Sequence, residues 1–320
     1  MLPLLGKLES EEIMKRLDTP KRSANLNNII DFYLDSAAYN RLKIDTQKDY
    51  ALNLKDVRNT IVDNKALGAY KIKSIRVRHL TEAYDQWIMR GIRKANYNKS
   101  TLSCAWKHAM RYDVMEYNPI TLVKTEKPLQ RTVTWSRDDL TTFLDTAYQD
   151  FNTRNIALIV HMAYEWGQRI GDMRLLKWDT LDLEVPRLDI KQSKRGAAVH
   201  LPIGANLCKM LRQQKDDFGF QEYVAPRIVP SAGAYTPYRK NEIHKHINAV
   251  LEKANLPMHL TAMDLRRTAV TELLEANVDI AGIRQVTGHV NMQSCVPYMV
   301  NTYSGASKAL AARGNDDEHS

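Results

Sequence analysis

The chain has 320 residues, of which 44% are hydrophobic and 26% charged, so it is long and apolar enough for two domains with cores of their own. A formal net charge of +9 points to an anionic partner, nucleic acid first among them, while ordinary surface lysine and arginine would give the same balance. No run of about 20 apolar residues is present, which excludes a helical membrane span, and no basic segment followed by an apolar stretch marks a secretory signal. Cys104, Cys208 and Cys295 are too scattered for a metal site or a disulfide framework, and they suit a reducing compartment.

Residues 1–22 form a short polar and basic lead, and residues 23–123 are expected to be a helical domain. Ile29, Ile30, Phe32 and Tyr33 recur at helical spacing, as do Tyr50, Leu54, Val57 and Ile61. Leu80, Ala83, Tyr84, Trp87 and Ile88 make another amphipathic face, and Leu102, Ala105, Trp106, Ala109 and Met110 one more. Asn118-Pro119 closes the unit. Within it, residues 71–111 carry ten basic side chains opposed only by Glu82 and Asp85. That density suits a surface facing a duplex, with Arg76, Arg78, Arg93, Lys94, Lys99, Lys107 and Arg111 as candidate contacts. The interleaved Tyr97, Trp106 and Tyr112 read more readily as core than as contacts.

Residues 124–134 read as an exposed linker, and a second domain is expected over 135–304. Ser136 with Asp139 fits a capping box ahead of a helix to Tyr148, and residues 154–178 fit a buried helix and its successor. Segments 187–192 and 198–203 alternate apolar and polar residues around Ser193-Lys-Arg-Gly, which predicts a β-hairpin. Thr261 with Asp264 offers a second capping box before a helix to about Glu275. A short helix over 279–287 should end at Gly288, and Pro297 fits the first turn of a further helix. The tail, 305–320, holds a short Ala/Leu segment that needs a surface to bury Leu310 against. The fold class is therefore mainly α with a small antiparallel β-sheet.

Five residues of the second half form a chemical set: Arg169, Lys194, Arg266, His289 and Tyr298. Each has a bland reading alone, since arginines face solvent or pair with neighbours such as Asp172, hairpin tips are often basic, and most tyrosines and histidines pack or cap. Together they supply two planar forks for phosphate oxygens, a flexible proton donor, a polar partner and a nucleophile. Arg195 competes with Lys194 for the donor role. Such a set attacks a phosphodiester with no metal or other cofactor. A phosphotyrosyl ester also conserves bond energy, which agrees with the lack of a Gly-x-x-x-x-Gly-Lys-Ser/Thr loop.

The order and spacing resemble the tyrosine recombinase (phage integrase) family over about residues 23–305. Glu165-Trp-Gly-Gln-Arg-Ile-Gly-Asp resembles its first catalytic box, with Asp172 where the family carries an acidic residue supporting the arginine. Lys194 matches the family's hairpin lysine, Arg266 its second arginine, Val286-Thr-Gly-His289 its Leu-Gly-His element, and Tyr298 its nucleophile. Ile75-Arg-Val-Arg-His-Leu-Thr-Glu-Ala-Tyr and Glu116-Tyr-Asn-Pro stand where the family's helical DNA-binding domain has similar phrases. One departure matters: Met263 stands where the family usually has a histidine, with His259 a possible replacement one turn upstream.

The resemblance implies a two-domain, C-shaped DNA clamp. Its activity would be site-specific recombination through a 3′-phosphotyrosyl intermediate, integrating or excising a phage or mobile element. The implied partners are double-stranded DNA at a specific site, a homotetramer on two DNA sites and a DNA-bending accessory protein, all in the bacterial cytoplasm at the nucleoid. The alternatives are a chromosome-dimer or plasmid resolvase with the same chemistry, a catalytically inactive DNA-binding relative, and a type IB topoisomerase, which fits the whole chain less well.

Overall fold

The apolar faces of the first half converge on two tryptophans, Trp87 and Trp106, both fully buried. The computed structural model describes Pro20, residues 24–194 and 196–288, and Ser307, Leu310 and Ala311. Contacts divide the chain into two compact units, Met1–Leu129 and Gln130–Ser320.

In the first unit, α1 (Leu26–Leu34) is capped reciprocally. Asn25 Oδ1 accepts the Asn28 N–H and Asn28 Oδ1 accepts the Asn25 N–H, both at 3.0 Å. A short α2 (Ala37–Asn40) leads into α3 (Ile44–Asn59). Then α4 (Val77–Ile88) and α5 (Ile92–Met110) complete the unit, with α1, α3 and α4 all packed on α5. The seam is that of the sequence pattern: Leu26, Ile29 and Ile30 meet Leu102, Ala105 and Trp106, while Leu80, Ala83 and Trp87 close the other side. Trp87 Nε1 donates to Thr60 Oγ1 at 2.8 Å, so its one polar atom is satisfied inside.

One expectation fails here. Ile61 continues the spacing of Tyr50, Leu54 and Val57, yet α3 stops at Asn59 and Ile61 is 53% exposed. It opens a two-stranded hairpin, β1 (Ile61–Val62) with β2 (Lys65–Ala66). Asp63 and Asn64 turn that hairpin with φ of 46° and 58°, the left-handed region that short Asp and Asn side chains tolerate. The local turn chemistry overrides the helical period.

In the second unit, α6 (Arg137–Tyr148) starts at the expected box, with Ser136 Oγ accepting from Asp139 N at 3.0 Å. Then α7 (Arg154–Glu165) is apolar almost all round, with Ile156 to Val160, Met162 and Ala163 buried. Such a helix can only be central, and it packs against α6, α9 (Ala205–Phe218), α10 (Lys240–Lys253) and α11 (Ala262–Glu275). After the short α8 (Ile170–Met173), the predicted hairpin forms from β4 (Arg187–Lys191) and β5 (Ala198–Pro202), with β3 (Leu181–Asp182) added on the β4 side. Asp189 lies opposite His200, and Val199 and Leu201 turn inward while Ala198, His200 and Pro202 face out. Last among the described elements, α12 (Ile280–Thr287) is capped by Asp279 and ends at Gly288. The expected helix at Pro297 lies outside the described residues. In the tail, Leu310 is helical and exposed.

At the start of α11 the Thr261 N–H and hydroxyl both donate to Asp264 Oδ2, at 2.9 and 2.8 Å. Asp264 is almost fully buried and is also gripped by Arg131, Nε to Oδ1 at 2.7 Å and Nη2 to Oδ2 at 2.6 Å. Arg131 Nη2 donates to the His259 carbonyl as well. Burial pushes the Asp264 carboxyl up, but the Arg131 and Thr261 hydrogen bonds outweigh it and hold the carboxyl below its ordinary value of 3.8. A depressed folded pKa contributes stability above the ordinary value and loses it as pH falls. Arg131→Met should therefore destabilise the unit by about 2–3 kcal/mol at neutral pH, below the ~3–5 of a fully buried pair because part of Arg131 meets water. Urea unfolding checks this, and the gap from wild type should narrow below about pH 4; a constant gap would mean that the carboxylate charge is not what Arg131 serves.

Candidate active site

The first-box arginine is placed by the end of α7. Gly167 takes φ of 57° and turns the chain, and Arg169 becomes the N-terminal cap residue of α8. Its Nη1 donates to Gln192 Oε1 at 2.9 Å. Gln192 follows β4 where the chain enters the hairpin turn and is 1% exposed, as is Gln168. Gln192 Nε2 donates to Gln168 Oε1 at 2.6 Å and to the Thr287 carbonyl at 2.7 Å. Gln168 Nε2 donates in turn to the carbonyls of Trp166 and Val286, at 2.8 and 2.7 Å.

The second-box arginine reaches the same place from α11. Arg266 is 5% exposed, and its Nη2 donates to the Thr287 carbonyl at 2.8 Å. Arg169 and Arg266, far apart in sequence, are thus joined through one buried amide and one carbonyl oxygen. Gly288 follows that carbonyl with φ of 65°, where side chains are strained, and a Cβ there would lie 2.6 Å from Gln192 Nε2. Glycine is required on both counts.

Lys194 sits at the exposed tip of the hairpin, one residue beyond Ser193. Asp172 is buried, and its Oδ1 accepts the Ser193 N–H at 3.1 Å. Its other oxygen lies 3.9 Å from Arg169 Nη1, an ion pair without a hydrogen bond. Asp172 therefore ties the hairpin tip to α8 as much as it supports the arginine. Arg174, the other arginine of this box, points away and donates to the Tyr238 carbonyl at 2.7 Å.

Met263 is 70% exposed on the first turn of α11, and His259 is exposed in the loop before it. Nothing packs tightly around the methionine, so a histidine can be restored there at little cost in stability, within about 0.5 kcal/mol. Met263→His should leave cleavage unchanged or raise it, because the two arginines keep the dominant electrostatic contribution. A variant that folds and binds DNA but no longer cleaves would show that the site has been rebuilt around methionine. His289, Tyr298 and the competing Arg195 lie outside the described residues.

The basic candidates of the first unit divide into two groups. Arg93 and Lys107 are exposed along one stripe of α5, joined by Tyr97 at 64% exposure and continued by Arg111 at the helix C-terminal cap, and Arg76 is exposed before α4. The reading of Tyr97 and Tyr112 as core is wrong, since both are exposed; Trp106 alone of the three is core. Other candidates have partners within the unit. Arg78 pairs with Asp63 at 2.8 Å. Lys94 Nζ donates to Asn53 Oδ1 at 2.9 Å and lies 3.5 Å from Asp56. Lys99 donates to the Val123 carbonyl and Thr125 Oγ1, and burial pulls its pKa down. Lys94 and Lys99 are thus engaged internally, as ties to Asn53 and to the chain after α5. The partners of Arg78 and Lys94 escape a charge count of 71–111, because Asn53, Asp56 and Asp63 all precede that segment.

Sequence reasoning missed Gln168, Gln192, Thr287 and Arg131. Their signal was adjacency alone: Gln168 precedes Arg169 and Gln192 stands two before Lys194. Among the described residues no cluster of histidine, cysteine or carboxylate side chains could hold a metal, and no helix is long and apolar enough to cross a membrane.

Known proteins resemble this chain in sequence and in fold. A tyrosine recombinase of Agathobacter rectalis is 29% identical over 145 residues, 45% of this chain, and the chain spans about half of that relative, 47%. The ICEBs1 integrase of Bacillus subtilis is 22% identical over 98% of this chain and 89% of its own. A lambda integrase dimer bound to a COC′ core site matches with a TM-score of 0.71 at 19% identity, covering 94% of this chain and 81% of that one. A lambda integrase tetramer bound to a Holliday junction matches at 0.69 and 18%, covering 95% and 84%. The family model described as the phage integrase family matches residues 135–304, more than half of the chain, and the chain belongs to that family, the tyrosine recombinases.

Proposed function

We propose that this chain is a site-specific DNA recombinase that integrates or excises a mobile element, cutting and rejoining one strand at a time. The observation that carries the reading is the junction of Arg169 and Arg266 on one buried hydrogen-bond network, beneath a hairpin that presents Lys194. Two fixed guanidinium groups suit the charge that builds on the nonbridging oxygens of a pentavalent phosphorus. Tyr298 Oη gives up its proton to solvent as it attacks the phosphorus, the bond to the 5′ oxygen breaks, and Lys194 gives that oxygen its proton. His289 hydrogen-bonds the phosphate. The 3′-phosphotyrosyl ester keeps the bond energy, and the 5′ hydroxyl of a second strand reverses the step with no nucleotide cofactor.

The partner is duplex DNA, contacted through Arg76, Arg93, Lys107 and Arg111, and the working form is a homotetramer on two DNA sites. The lambda integrase tetramer on a Holliday junction supports that assembly. The reading extends to action on nucleoid DNA in the bacterial cytoplasm with a DNA-bending protein as a further partner, which a requirement for host extract in strand exchange would reveal. Met263 favours one second reading, a catalytically inactive DNA-binding relative. Covalent capture decides: the protein is incubated with nicked duplexes carrying a randomised site, and adducts that survive denaturant are sequenced. A single enriched site is expected; binding with no adduct would favour the inactive relative.

A further inference from the structure

We propose that Gln192 is a positioning residue that couples the two arginines of the site. Its carbonyl oxygen holds Arg169, its amide holds the Thr287 carbonyl that Arg266 also grips, and Gln168 sets its orientation. The inference rests on the recombinase reading above and adds a residue to its machinery.

The hydrogen bonds leave the amide one orientation. Turned over, Gln192 would set its Oε1 against Gln168 Oε1 and the Thr287 carbonyl, and its NH2 against the Arg169 guanidinium. Both glutamines are 1% exposed, so water cannot soften either clash. Gln192 Nε2 also occupies the space that a Cβ on Gly288 would need, so the glutamine lies close against the residue that ends α12. One side chain thereby sets the fork of Arg169 and the carbonyl anchor of Arg266.

The second unit contains a matched control. Gln214 accepts from Arg154 Nη2 at 3.2 Å and donates to Asn155 Oδ1 and the Val224 carbonyl, both at 2.9 Å. The chemistry is the same chain of arginine, glutamine, amide and carbonyl, but it touches neither Arg169 nor Arg266.

The test is single-turnover adduct formation on a nicked duplex whose site wild-type protein has selected from the randomised library. Gln192→Met keeps the length and removes both polar ends. It should slow the step by about 100-fold, the scale of one lost preorganised donor, with duplex affinity within about threefold of wild type. In an Arg169→Ala background the same change should cost several-fold less than in wild type, because one of the two arginines it positions is gone, the remainder being its hold on the carbonyl that Arg266 grips. Gln168→Met, which removes the amide that orients Gln192 together with its bonds to the Trp166 and Val286 carbonyls, should give a smaller loss that also shrinks in that background. Gln214→Met should lower the urea midpoint comparably and leave the rate within about threefold. The coupling is overturned if Gln192→Met cleaves like wild type, if its cost is the same with and without Arg169, or if Gln214→Met slows cleavage as much. Should Gln192→Met fail to fold, Gln168→Met carries the same comparison. An inactive wild type would sink the recombinase reading itself, whereas an active wild type with additive costs sinks only the coupling.

Discussion

Tyr298→Phe should abolish the denaturation-resistant protein–DNA adduct, while Tyr303→Phe should leave it intact. This is the largest effect expected of any single change, because a covalent step has no substitute when its nucleophilic oxygen is deleted. Phenylalanine preserves the ring and its packing, so DNA binding should persist. The choice of Tyr298 rests on its distance along the chain from His289, in an order that also contains Arg169, Lys194 and Arg266. An adduct at wild-type yield from Tyr298→Phe would transfer the role to another tyrosine, and mapping the linked peptide would say which.

Lys194→Ala should slow cleavage of ordinary DNA by about 10²–10⁴-fold, the range of a positioned general acid. The exposed hairpin tip suits that role, since a flexible ammonium there can reach over bound substrate. A bridging 5′-phosphorothiolate separates the lysine's possible roles. A thiolate, with a parent pKa of about 8.5, leaves without a proton, whereas an alkoxide does not. Cleavage of that substrate by Lys194→Ala should return to near the wild-type rate. If the variant is equally slow on both substrates, the lysine binds or positions instead. Arg195→Ala should show no selective rescue, because a guanidinium does not give up its proton in this pH range.

The two predictions draw on different parts of the chain's legibility. The helices and the hairpin follow from local rules visible in a linear string. Trp87 and Trp106 fall on apolar stripes of period 3.6, Val199 and Leu201 alternate with polar neighbours, and Ser136 with Asp139 writes the start of a helix three residues ahead. The candidate catalytic set was legible in the same way, since Arg169, Lys194 and Arg266 were marked by order, spacing and neighbouring motif residues.

Where local rules competed, the string misled. Ile61 obeyed the helical period, but Asp63-Asn64 could turn the chain and did. Tyr97 sat among core-like residues, yet which side of α5 faces α1, α3 and α4 depends on all four helices at once, and Tyr97 fell on the outside.

Composition, periodicity and motif order by themselves determined a mainly helical two-part chain with a small sheet, and they named a candidate set of phosphate-handling residues. Only the tertiary structure decided that Lys94 and Lys99 are engaged inside the first unit, that Arg131 locks onto Asp264, and that Gln168 and Gln192 join Arg169 to the carbonyl held by Arg266. The reason is physical. Periodicity reports which way a side chain faces relative to its own neighbours, and it needs only short-range sterics and burial. A hydrogen-bonding partner for a buried glutamine or arginine is chosen by distance in space, and a lone polar letter carries no mark of which remote carbonyl or carboxylate will be waiting when the chain closes on itself.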